Sequence, residues 1–149
     1  MNRYILDTNI LSYLIDIKSP FHNHNRVKEF LNSLNDNIEL CTTVITLMEL
    51  NYALKLIEDN TLKNSFKRAI DKIENSLLIY TITTDTAKIF SELKYSYKSV
   101  TGINYKSAKK NDLDLIIAAI AIEYNALLVS NDKIFKQIAN ISNLKTISI

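Results

Sequence analysis

Cysteine, glycine and proline each occur once in this 149-residue sequence, and each scarcity removes a class of explanation. With Cys41 alone, no intrachain disulfide can form, so the chain is not a stapled secreted scaffold and suits a reducing cytoplasm. One glycine leaves no Gly-rich loop to cradle phosphates, and no Ser-His-Asp order is visible, which argues against P-loop proteins and triad hydrolases. The longest apolar run, LIIAAIAI at 115–122, is far short of the ~18 residues a membrane span needs. Asp7 interrupts the N-terminal apolar stretch too early for a secretory leader, so neither a leader nor a membrane partner is expected. Neither sign of charge dominates: 18 basic against 16 acidic residues give a net charge of +2, too balanced to announce a nucleic-acid binder by itself.

What is present is an ordinary globular composition, 47% hydrophobic and 23% charged, expected to fold as one domain over residues 1–149. Asparagine tolerates left-handed backbone and is expected to make the turns that glycine does not. Apolar runs alternate with segments of helical period. Strands are expected at YIL (4–6), IELCTTV (38–44), LLIYTI (77–82), ALLVS (126–130) and LKTISI (144–149). Helices are expected after the first strand and near 26–35, 46–58, 61–75, 84–97, 113–124 and 132–138. Polar loops are expected at 18–25 and within 98–111. Strands alternating with helices imply an α/β fold, a parallel sheet with helices on both faces.

In such sheets, reactive groups gather beyond the C-terminal strand ends. Asp7 follows YIL, and Asp132 follows LLVSN. Asp112 and Asp114 open the 113–124 helix, and Glu49 lies in the first turns of the helix after IELCTTV. An aspartate near a helix start is ordinarily a cap, and Asp112 is assigned that role. Glu49 shares a helix face with Ile45, Tyr52, Ala53 and Leu56, and Asp114 with Ile117, Ala118 and Ala121. Both stripes read as core-facing. Carboxylates placed there need a compensating positive charge, and neither stripe offers a lysine or arginine. A divalent cation, Mg²⁺ or Mn²⁺, meets that need with oxygen ligands.

Other features carry blander readings. His22 and His24 form an H-x-H expected to sit in a solvated loop, since no third ligand stands at zinc spacing. Cys41 is expected to be a small buried side chain. Lys106, Lys109 and Lys110 precede the Asp114 helix, and either contact RNA phosphates or form a solvated basic loop. Lys63, Lys67, Arg68 and Lys72 have the spacing of a solvated helix face.

Taken together, YILDTNIL, TTVITLMEL and NDLDLIIAAIAIEYNALLVSND resemble the PIN domain family, specifically the VapC-type toxins of toxin–antitoxin pairs. The resemblance runs from Tyr4 to about Phe135 and assigns the family's acids to Asp7, Glu49, Asp114 and Asp132. Thr8, Asn9 and Ser130 fall on positions that are polar and close to the site in the family. Ala53 departs from the glycine that many relatives carry. The resemblance implies a three-layer α/β/α fold around a mostly parallel sheet of four to five strands. It further implies an Mg²⁺-dependent (or Mn²⁺-dependent) endoribonuclease, with Asp7 and Asp114 as main ligands and Glu49 and Asp132 acting directly or through water. A small antitoxin partner and a homodimer are also implied. The alternatives are a PIN-type RNA-processing nuclease without an antitoxin, a receiver-like binding module, and an aspartyl phosphotransferase. The last commonly uses Asp-x-Asp, where this chain has Asn9.

Overall fold

The computed structural model describes residues 2–15, 21–102 and 109–149. Five strands form one sheet: β1 (Asn2–Leu6), β2 (Ile38–Thr43), β3 (Leu78–Tyr80), β4 (Leu127–Val129) and β5 (Lys145–Ile147). They lie in the order β3-β2-β1-β4-β5, and every pairing is parallel. Parallel neighbours cannot be joined by a tight turn, so the connections contain helices. These are α1 (Thr8–Ile15), α2 (Phe21–Ser33), α3 (Val44–Leu56), α4 (Asn60–Ser76), α5 (Thr84–Thr101), α6 (Asp112–Glu123) and α7 (Lys133–Ala139). A short 3₁₀ turn, Lys109–Asn111, leads into α6.

Successive strand residues point to opposite faces, and the burial follows that alternation. Ile5 and Leu128 enter one core with Leu93, Tyr97, Phe135 and the apolar run of α6. Leu6 and Val129 enter a second core with Ile10, Leu11, Val27, Leu50 and Ile70. The sheet is thus covered on both sides, which explains why its central strands are apolar on both faces. The chain adds β2 and β3 on one side of β1, then β4 and β5 on the other. Strand order therefore reverses between β1 and β4, and a crevice opens beyond their C-terminal ends.

Local chemistry sets several boundaries. Thr43 caps α3 by accepting from the Thr46 amide at 3.2 Å, and Asp59 caps α4 by accepting from Leu62 at 2.7 Å. Of the residues Thr83, Thr84 and Asp85, it is Thr83 that caps α5, in a reciprocal capping box with Thr86. Asn125, after α6, takes a left-handed φ of 50°, the use expected of asparagine in a glycine-poor chain.

Two expectations are corrected. Helix α2 begins at Phe21, so His24 and the backbone of His22 lie in a helix and not in a loop. His24 Nδ1 stands 2.9 Å from the Tyr13 carbonyl, joining α2 to α1; a tertiary contact extends the helix into a segment without apolar period. Helix α5 continues four residues beyond Tyr97 and ends at Gly102, whose φ of 63° suits a helix C-cap. Cys41 is buried as expected.

The central position of Ile5, fully buried in β1, gives a stability prediction. Ile5→Ala is expected to cost about 2–5 kcal/mol in denaturant unfolding.

Candidate active site

Asp7 is the junction between β1 and α1. Its amide extends the sheet ladder to the Val129 carbonyl at 3.1 Å, while its own carbonyl accepts from Ile10 and Leu11 at 3.1 Å each. The backbone thus fixes the residue from both sides, and the residue is only 5% exposed. The Asp7 Oδ2 oxygen accepts from Ser130 Oγ at 2.7 Å and from Asn9 Nδ2 at 3.2 Å. Asn9 Nδ2 also donates to Ser130 Oγ at 3.0 Å, and the Asp132 amide donates to the same oxygen at 3.1 Å. Thr8 Oγ1 donates to Glu49 Oε2. The tripeptide Asp7-Thr8-Asn9 therefore serves two acids at once: Asn9 supports Asp7, and Thr8 holds Glu49 from α3.

Burial raises the Asp7 pKa above its usual value, the Ser130 hydroxyl and the Thr8 backbone amide draw it back, and the charges of Glu49 and Asp132 push it up again. Asp114, partly buried at the start of α6, is pushed up to about 6. Burial is the largest cause, followed by repulsion from Asp132, Asp7 and Glu49. The acids are thus close enough to disturb one another. Among the described residues, however, no three acidic, histidine or cysteine side chains converge tightly enough to hold one ion between them. None of the ion pairs found among those residues involves these four acids.

The placement of each acid differs in kind. Asp132 is exposed, and its Oδ1 caps α7 by accepting from the Ile134 amide at 3.1 Å. The apolar stripe of Asp114 faces the core as expected, with Ile117, Ala118 and Ala121 all buried. The Glu49 stripe does not. Ile45 is buried, but Tyr52 and Leu56 are 67% and 64% exposed, because only the first turns of α3 are covered at that face. Asp112 is corrected as well. Asn111 takes the cap position of α6, and Asp112 instead pairs with Lys94 of α5 at 2.9 Å. Lys109 and Lys110 are exposed in the 3₁₀ turn before α6; Lys106 lies outside the described residues. Asn131, which no sequence pattern singled out, donates its amide to Asn9 Oδ1 at 3.3 Å.

The donor set fits a hard divalent cation. Every candidate ligand is a carboxylate, two are pushed toward protonation by burial and mutual repulsion, and a cation would relieve both.

A parallel α/β sheet with acids gathered at its switch point defines a class of fold in which loops beyond the strand ends carry the chemistry. The PIN domain model matches residues 4–141, and the chain belongs to the PIN domain family. Among solved structures it is similar to VapBC2 from Rickettsia felis bound to a promoter DNA fragment, at 26% identity and a TM-score of 0.71, over 99% of this chain and 98% of that one. VapBC-1 from nontypeable Haemophilus influenzae matches at 22% identity and a TM-score of 0.73, over 98% and 97%. VapC20 from Mycobacterium tuberculosis, a sarcin–ricin loop cleaving toxin, matches at 12% identity and a TM-score of 0.59, over 95% and 98%. The latter two share the fold alone. No curated protein sequence gives a significant match.

A pKa raised in the folded state means that the native protein holds the proton more tightly than the unfolded chain. The stability contributed by Asp114 is therefore full below the ordinary carboxylate range and is lost as pH rises through about 6. Asp114→Asn, without added metal, is expected to melt higher than the wild type at pH 7.5, with the gap closing toward pH 4. Thermal denaturation across that range checks it.

Proposed function

We propose that this chain is a metal-dependent endoribonuclease, using Mg²⁺ or Mn²⁺, and the toxin of a toxin–antitoxin pair working in the cytoplasm. The observation that carries the reading is that Asp7 and Asp114 at the switch point are disfavoured as anions by burial and by the acids around them, while none of the ion pairs found among the described residues involves any of the four acids. Membership of the PIN domain family supports it, as does the likeness to VapBC complexes.

Asp7 and Asp114 would hold the ion, with Glu49 and Asp132 contributing directly or through water. When bound, the cation offsets the clustered negative charge and supplies an activated water for attack at a phosphodiester phosphorus. The chain's own residues prepare that chemistry. Ser130 and Asn9 fix one oxygen of Asp7, so the carboxylate cannot rotate freely. Thr8 holds Glu49 toward the same crevice. Asp132, bound to its own helix through Oδ1, adds charge at the solvent side. Lys109 and Lys110 at the entrance to α6 are candidates for RNA phosphate contacts, together with Lys106.

The partners proposed are RNA as substrate, a small antitoxin as regulator, and a second copy of the chain. Exposed Met48, Tyr52 and Leu56 along α3 support a protein partner, since apolar side chains at helical spacing on one face are costly to leave in water.

The test is Asp7→Asn, which keeps the shape and removes the charge. Mg²⁺-stimulated RNA cleavage should fall at least a hundredfold while the melting temperature holds or rises. Cleavage at the wild-type rate by the folded variant would refute the mechanism.

A further inference from the structure

The Asn9 side chain can support Asp7 only if its amide faces the right way. An asparagine amide has one acceptor end and one donor end. Here the acceptor, Oδ1, takes the Asn131 backbone amide at 3.3 Å, which turns the donor, Nδ2, onto Asp7 Oδ2 at 3.2 Å and Ser130 Oγ at 3.0 Å. The Asn131 amide is in turn placed by ties between its loop and the end of β5. Its own side-chain Oδ1 accepts from the Ile149 amide at 2.9 Å, and the neighbouring Ser130 amide donates to the Ile147 carbonyl at 3.0 Å. The loop after β4 is thus pinned to the residues at and beyond the end of β5 by two bonds. One of the two depends on a side chain.

We propose that Asn131 is a positioning residue for the acid site: its side-chain carbonyl ties the β4–α7 loop to the backbone after β5, and this tie turns the Asn9 amide so that its donor faces Asp7. The inference rests on reading these acids as the reaction site, but its immediate consequence is structural and local. Residues that orient metal ligands from behind are typically worth about 10- to 100-fold in metal affinity. Asn131 touches none of the four acids through its side chain among the bonds described, so it acts through Asn9 and the loop.

The experiment follows the Asn9 side-chain amide by NMR hydrogen exchange in the metal-free protein, and Mg²⁺ binding by calorimetry. Asn131→Ala removes the acceptor, and Asn9 exchange should quicken by about tenfold while Mg²⁺ affinity drops about tenfold. Asn131→Asp keeps an acceptor for the Ile149 amide and should retain Asn9 protection at the wild-type level. Ile149→Pro removes the donor instead and should reproduce the Ala result, which keeps the test available should Asn131→Ala fail to fold. Wild-type Asn9 exchange in Asn131→Ala, or exchange in Asn131→Asp as fast as in the Ala variant, overturns the proposal. Unchanged Mg²⁺ affinity in a variant with fast exchange overturns it too. Absence of RNA cleavage by the wild type would count against the nuclease reading alone, since Asn9 exchange is measured without substrate or metal.

Discussion

The side chain of Asp7 is a negative charge that the fold has withdrawn from water, and the rest of the site is organised around keeping it there. Burial disfavours the ionised form, and so do the neighbouring charges of Glu49 and Asp132. Opposing them are hydrogen bonds from Ser130 and Asn9 to one carboxylate oxygen. The backbone leaves the residue no escape, because its amide belongs to the sheet and its carbonyl opens α1. A charged group fixed in this way is costly in isolation and becomes favourable once opposite charge arrives.

The sheet topology explains why the acids lie within range of one another's charge. Asp7 and Asp132 lie 125 positions apart, yet β1 and β4 are hydrogen-bonded neighbours with Leu6 opposite Val129. Each residue that follows those strands emerges on the same edge. Asp114 reaches that edge from the start of α6, anchored by a helix whose Leu115, Ile117, Ala118 and Ala121 are buried. Glu49 comes from α3, which begins directly after β2. The apolar cores on both faces hold these elements rigidly enough for like charges to remain together.

Legibility in the sequence followed the range of the forces involved. The strand-then-acid pattern at Asp7 and Asp132, and the covered stripe behind Asp114, could be read because period and strand ends are local signals. The stripe containing Glu49 could not. Helical spacing says that Tyr52 and Leu56 share its face, but only tertiary packing says that the face is uncovered at that point. Asp112 looked like a cap because its partner, Lys94, sits on another helix. The early start of α2 was hidden by polar residues whose contact, His24 to the Tyr13 carbonyl, is nonlocal. Asn131 escaped notice for the same reason: its side chain bonds a backbone amide eighteen residues on, and nothing in SND marks that.

The choice of neutral groups to support these acids has a physical consequence. A lysine or arginine in place of Ser130, Asn9 or Thr8 would also have stabilised a buried carboxylate, and by more per contact. It would at the same time have cancelled the charge. Hydroxyl and amide donors orient the oxygens and satisfy their lone pairs while leaving the net negative charge in place. Burial first, and then the charges of Asp132, Asp7 and Glu49, hold the Asp114 pKa up at about 6. Lys94, which reaches the start of α6 from α5, is taken up by Asp112, two positions short of the acid that feels the repulsion. That ion pair ties α6 to α5 and leaves Asp114 outside it, so none of the ion pairs found among the described residues offsets its charge.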